Sequence, residues 1–132
     1  MSKDSVVIID GARTPMGGLQ GSLSEVPAPE LAAIAISATV ARSGITTSDI
    51  DEVFMGCVLP AALKQCPARQ AAIGAGIPAS AGAVTVNKAC GSGMQAIVTA
   101  SQYILLGDTD AAVAGGAESM SRAAYASTTQ RW

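Results

Sequence analysis

Residues 83–106 read AVTVNKACGSGMQAIVTASQYILL, and the fold is decided by how this stretch divides. Ala83 to Asn87 is short and β-branched, as strands are. From Gly91 or Ser92 to Leu106, the residues Met94, Ile97, Val98, Ser101, Ile104 and Leu105 recur at helical spacing. Gly107-Asp108 ends that helix. A strand and a helix separated by a few residues make one half of a βαβ unit, and the flanking sequence repeats the pattern. Downstream, Ala111 to Ala114 predicts a strand opening into Gly115-Gly116. Upstream, Glu52 to Leu59 predicts a strand ending at Pro60, and a short helix starts at Pro67 and runs to about Gly74.

Further toward the N-terminus, Val6-Val7-Ile8-Ile9 predicts a strand, apolar on both faces and therefore central in a parallel sheet. A helix is expected from Pro29-Glu30, with Leu31, Ile34, Ala35, Ala38 and Ala41 as its buried stripe. Gly44 stops it, and Thr46 with Asp49 forms a variant capping box. Four strands and three helices in alternation predict an α/β fold: an open, mostly parallel sheet with helices on both faces and right-handed crossovers. Ser121 to Trp132 reads as a linker or the opening of a further region.

Nearly half of the 132 residues are apolar, which supports a packed core rather than disorder. Eight basic and ten acidic residues leave a net charge of -2, without the basic footprint of a nucleic-acid binder or a polybasic membrane anchor. Three cysteines, odd in number and widely spaced, suggest neither a disulfide framework nor a thiolate metal site, and a reduced, cytoplasmic setting is the simplest expectation. The chain contains no histidine, so no histidine-based triad is completed within it.

The sharpest chemical signal is Val86 to Met94, where a strand ends, the chain turns and a helix begins with Cys90 at the junction. A thiol there faces backbone N–H groups that lack an intrahelical partner. Such groups favour the attacking thiolate and stabilise charge on a carbonyl oxygen. Gly91 and Gly93 clear space for a thioester or free the turn's dihedral angles. From residue types alone, an inert buried cysteine at a helix start is an equal alternative. Cys57 lies within an apolar strand and reads as core; Cys66, beside Pro67, reads as structural or pocket-lining. Lys88 is expected at the surface, Arg13 in a structural ion pair ahead of ligand contact, and Glu118 as a carboxylate holding a turn rather than a base. Met120 suits either a pocket wall or the core, and Gly17-Gly18 with Gly21 matches no nucleotide fingerprint.

Several separated stretches, in this order, resemble the amino-terminal part of the thiolase family (acetyl-CoA acetyltransferases and 3-ketoacyl-CoA thiolases). They are Ala12-Arg13-Thr14-Pro15 with Gly17; Ile50-Asp51-Glu52-Val53 with Gly56; Pro67-Ala68-Arg69-Gln70; Asn87 to Gly93; and Ala114 to Ser121. The resemblance implies residues 1–120 as an incomplete N-terminal α/β domain lacking its fifth strand, and residues 121–132 as the start of an inserted loop region. It implies that Cys90 carries the acyl group, with coenzyme A thioesters as substrates and no tightly bound cofactor or metal. A base histidine and a second cysteine are expected beyond Trp132, so the chain alone is expected to be inactive. The implied partners are the remainder of the thiolase polypeptide and further copies, paired through the Ala83-Asn87 strand into a dimer or tetramer. Cys66 replaces the family's usual asparagine, Ala117 a common methionine, and Ala123-Ala124 departs before Tyr125. Another thiolase-like condensing enzyme, or a non-catalytic structural or partner-binding fragment, are the rival readings.

Overall fold

A computed structural model describes residues 5–130 of the chain. Its elements run α1 (Ala28–Ser43), β1 (Glu52–Gly56), α2 (Pro67–Gly74), β2 (Gly82–Val86), α3 (Ser92–Leu106) and β3 (Ala112–Gly116), with 3-10 turns at Thr47–Asp49 and Met120–Arg122. The strands form one parallel sheet in the order β2-β1-β3. Glu52 stands level with Gly82 and Ala112, and Gly56 with Val86 and Gly116. All three strands therefore end along one edge, where sites on open α/β sheets form.

Central β1 divides the core because successive side chains point to opposite faces. Val53 and Met55 pack with Ala32, Ile36 and Val40 of α1 and Ala68, Ala71 and Ala72 of α2. Phe54 faces the other way, onto Ala96 and Ala100 of α3, and its ring meets Tyr103 edge-on with centroids 5.0 Å apart. Helices thus cover both faces of a parallel sheet, as expected. Alanine at most helix contacts lets the layers approach closely.

Polar side chains close the connections. Proline in the first turn opens α1, and Gly44 at φ 80° ends it. Thr46 donates through its N–H (2.7 Å) and its hydroxyl (2.8 Å) to Asp49 Oδ2. Arg69 donates to the carbonyls of Ala81 and Ala79, fixing α2 to the approach of β2. At the sheet's entry edge, Asp51 accepts from Thr109 Oγ1 (2.9 Å) and from the N–H groups of Asp110 (2.9 Å) and Ala111 (3.2 Å).

Several expectations are corrected. Val6–Ile9 forms no strand: Val7, Ile8 and Ile9 are 68%, 80% and 59% exposed, and no ladder bond reaches them among the described residues. Apolar composition makes a strand only where the segment is laid alongside another backbone and pairs with it. Both edges of β1 are taken by β2 and β3, and residues 6–9 pair with the outer edge of neither. Residues 10–11 are instead tied to α1 by Arg42, which donates to Asp10 (3.1 and 3.2 Å) and to Gly11 O. Among the described residues the sheet therefore has three strands, not four.

The buried side of α1 is Ala28, Pro29, Ala32, Ala33, Ile36 and Val40, not the expected stripe; Ile34 and Ala41 are exposed. Residues 31–36 are apolar all round, so periodicity did not mark a face. β1 stops at Gly56 rather than Leu59, β2 spans Gly82–Val86, and β3 continues through Gly115 and Gly116. In α3 the small residues Ala96 and Ala100 face the sheet, while Met94, Ile97, Val98 and Leu105 are exposed.

Hydrogen bonds from the Asp110 and Ala111 N–H groups, then from Thr109, hold the Asp51 carboxyl below the usual carboxylate range. A carboxylate held low in the folded state stabilises it above the unfolded chain's value, and that contribution disappears as pH falls through the folded one. Melting measured from pH 7 into the acid range should show stability falling, with Asp51→Asn less stable at neutral pH and less sensitive to acid.

Candidate active site

β2 ends at Val86 and α3 begins at Ser92, so residues 87–91 form the bend on which Cys90 stands, exposed to solvent. Two close backbone contacts place this bend. A Cβ on Gly56 would fall 2.6 Å from Ser92 C and 2.7 Å from Gly93 N, and one on Gly116 would fall 3.2 Å from Gly93 Cα. The first turn of α3 therefore rests directly on the ends of β1 and β3.

The left-handed position of the bend is Ala89, at φ 47°. Gly91 adopts φ −89°, open to any residue, so the bend's dihedral angles do not require glycine there. An L-residue in the left-handed region costs about 1–2 kcal/mol, and local bonds offset that cost. Ser92, buried, accepts from Lys88 N–H (2.8 Å) and donates to Ala89 O (2.6 Å). Asn87 Oδ1 accepts from Ala89 N–H (3.2 Å), and Asn87 Nδ2 donates to Val58 O (3.2 Å). The N–H groups of Gly91 and Ser92 go to the carbonyls of Lys88 and Ala89, while that of Cys90 has no partner among the described residues. A reacting carbonyl at the thiol would thus find a free backbone donor beside it.

The remaining sequence candidates separate clearly. Lys88 Nζ donates to Gln95 Oε1 at 2.7 Å, an exposed pair along α3. Cys57 is 3% exposed, with its Sγ 3.4 Å from Glu118 Oε1. Burial first, and then the adjacent Glu118 charge, push the Cys57 thiol from its ordinary 9.0 up to about 11, which suits a proton-holding core group rather than a nucleophile. Cys66 is exposed at φ 41°, its sulfur 3.6 Å from Thr85 Oγ1. Glu118 holds a turn: it accepts from Val58 N–H (2.8 Å) and Leu59 N–H (3.2 Å).

Arg13 has no carboxylate within ion-pair distance among the described residues, because Asp10 is taken by Arg42; the expected structural pairing is corrected accordingly. Arg13 instead lines a groove of about 540 Å³ with Met16, Glu118 and exposed Met120. A larger concavity, about 880 Å³, runs along α1 past Ile34, Leu63 and Gln70. None of the three cysteines lines either cavity. The sequence places Cys90 between a strand and a helix, as observed, but does not disclose the left-handed Ala89 or the Ser92 bridge. A serine four residues after Lys88 was the only local hint of that bridge.

The family model described as "Thiolase, N-terminal domain" matches residues 6–132. The chain belongs to the thiolase family. It is 48% identical over 124 residues to the mitochondrial acetyl-CoA acetyltransferase of Danio rerio, covering 94% of this chain and 30% of that protein. It is 50% identical over 120 residues to the acetyl-CoA acetyltransferase of Cupriavidus necator, covering 91% and 30%. The solved acetyl-CoA acetyltransferase of Bacillus anthracis superposes with a TM-score of 0.92 at 38% identity, over 96% of this chain and 32% of that one. This thiolase chain thus spans about a third of the length of these relatives.

Iodoacetamide at neutral pH should label Cys66 and Cys90 in the folded chain and Cys57 only after denaturation, as peptide mapping would show. Because the folded Cys57 holds its proton longer than the unfolded one, stability should fall as pH rises from 9.0 to about 11, and Cys57→Ala should flatten that fall. Gly56→Ala, which forces a methyl against the backbone of α3, should cost about 1–3 kcal/mol in urea unfolding. Gly93→Ala, whose Cβ would meet nothing nearer than 3.7 Å, should cost much less.

Proposed function

We propose that Cys90 is the acyl-carrying nucleophile of a thiolase active site and that this chain contributes the nucleophile half of it. The observation that carries the reading is an exposed thiol at a strand–helix bend, beside its own N–H that has no partner among the described residues, in a chain of this family. The Cys90 sulfur attacks the carbonyl carbon of a coenzyme A thioester. A new carbon–sulfur bond forms, the bond to the coenzyme A sulfur breaks, and the Cys90 proton passes to a base from elsewhere in the protein. The free Cys90 N–H donates to the oxygen as charge gathers on it.

The complete reaction is then condensation of two acetyl-CoA to acetoacetyl-CoA, or the reverse thiolysis of a 3-ketoacyl-CoA. It needs a histidine, which these 132 residues do not contain, and a second cysteine in the remaining polypeptide. The exposed Met94, Ile97, Val98 and Leu105 of α3 supply an apolar face for that remainder. Residues 121–132 open its inserted region, and β2, hydrogen-bonded on one edge only, pairs copies into a dimer or tetramer. Three free thiols suit a cytoplasmic setting.

Incubation of the purified chain with acetyl-CoA, followed by peptide mass spectrometry, should place a slowly acquired acetyl group on Cys90, absent in Cys90→Ser, with no sustained production of acetoacetyl-CoA. Acetylation confined to Cys57 or Cys66 would refute the assignment.

A further inference from the structure

The bend that presents Cys90 is joined to the far side of the sheet by a chain of hydrogen bonds that the acyl-transfer chemistry does not itself require. After Gly56 the backbone leaves the ladder, with Cys57 N–H donating to Val86 O and Ala117 N–H to Gly56 O, both at 3.0 Å. Beyond Cys57 the ladder holds nothing further, but Glu118, two residues beyond β3, gathers the Val58 and Leu59 N–H groups and the Cys57 thiol on one carboxylate. The Val58 carbonyl, held by that anchor, accepts a hydrogen bond from Asn87 Nδ2. The other end of the same amide accepts from Ala89 N–H. Ala89 is the left-handed residue immediately before Cys90.

Asparagine is the side chain of this length that can do both. Its nitrogen donates to a carbonyl while its oxygen accepts from an N–H. Aspartate would set a second acceptor against Val58 O, and alanine would leave both groups unpaired. Resting on the assignment of Cys90 above, we infer that Asn87, braced by Glu118 through residues 57–59, is the positioning residue of the nucleophile. It holds Ala89 left-handed, which sets the direction of the Cys90 N–H and thiol. Ser92 closes the inner side of the bend, and Asn87 fixes it to the sheet.

The test uses Asn87→Ala, Glu118→Gln and the double variant of the chain, read in two ways. Backbone NMR of Ala89, by its carbon shifts and its HN–Hα coupling, reports whether that residue stays left-handed. In parallel, acyl transfer to Cys90 from a reactive aryl thioester is divided by the rate of Cys90 alkylation with iodoacetamide, which needs an accessible thiol but no oxyanion donor. In Asn87→Ala, Ala89 should leave the left-handed region and the rate ratio should fall about tenfold, the scale set by one strained L-residue. Glu118→Gln should lower the ratio less and add nothing to Asn87→Ala, because both act through one bridge.

Ala89 remaining left-handed in Asn87→Ala, or an unchanged ratio, overturns the inference; so does strict additivity in the double variant. If Asn87→Ala does not fold, Asn87→Asp replaces it: it keeps the acceptor for Ala89 and loses the donor to Val58, and an unchanged ratio there is equally fatal. A wild-type chain whose Cys90 accepts no acyl group from any thioester rejects the acyl-carrier assignment, and the NMR comparison then decides the role of Asn87 by itself.

Discussion

The structure depends on a backbone-to-backbone contact with no room for a side chain: the first turn of α3 resting on Gly56 and Gly116 at the ends of β1 and β3. A Cβ at Gly56 would overlap the Ser92–Gly93 peptide. This contact determines where α3 can start, and hence that residues 87–91 must bend sharply between β2 and α3. The location of Cys90 is a consequence of packing against the sheet.

The three thiols show how one residue type is differentiated by its surroundings. Cys57 follows β1 into the core, where burial and a neighbouring carboxylate keep its proton in place. Cys66 lies at the mouth of α2, its sulfur turned toward Thr85 and the Ala83 carbonyl of β2. Cys90 alone stands on the bend, and its N–H has no partner among the described residues. Glu118 serves two of these environments at once, raising the Cys57 thiol and pinning the backbone that Asn87 grips. That carboxylate is thus occupied as an acceptor holding a turn.

The apolar surface is distributed unevenly. Ala96 and Ala100 of α3 make the sheet contact, while the larger Met94, Ile97, Val98 and Leu105 remain in solvent. Small side chains are at the contact because the helix lies so close to the sheet, and the bulky ones have no place there. The same economy of volume operates where α1 meets α2, since a Cβ on Gly74 would lie 3.1 Å from Ala33 Cβ.

From sequence alone, the order and type of the elements from α1 to β3 were legible, as were the start of α2 at Pro67, the stop at Gly44, the buried state of Cys57 and the prominence of Cys90. Those features are local: periodicity, proline and glycine stereochemistry, and β-branched runs act within a few residues. Which face of α1 is buried, whether Val6–Ile9 pairs, and why Ala89 is left-handed were decided only by tertiary structure. Each depends on a partner distant in the chain: the facing helix, an open sheet edge, or the Val58 carbonyl that Asn87 reaches across 29 residues of sequence. Backbone groups must be satisfied by something, but a sequence pattern does not say by what.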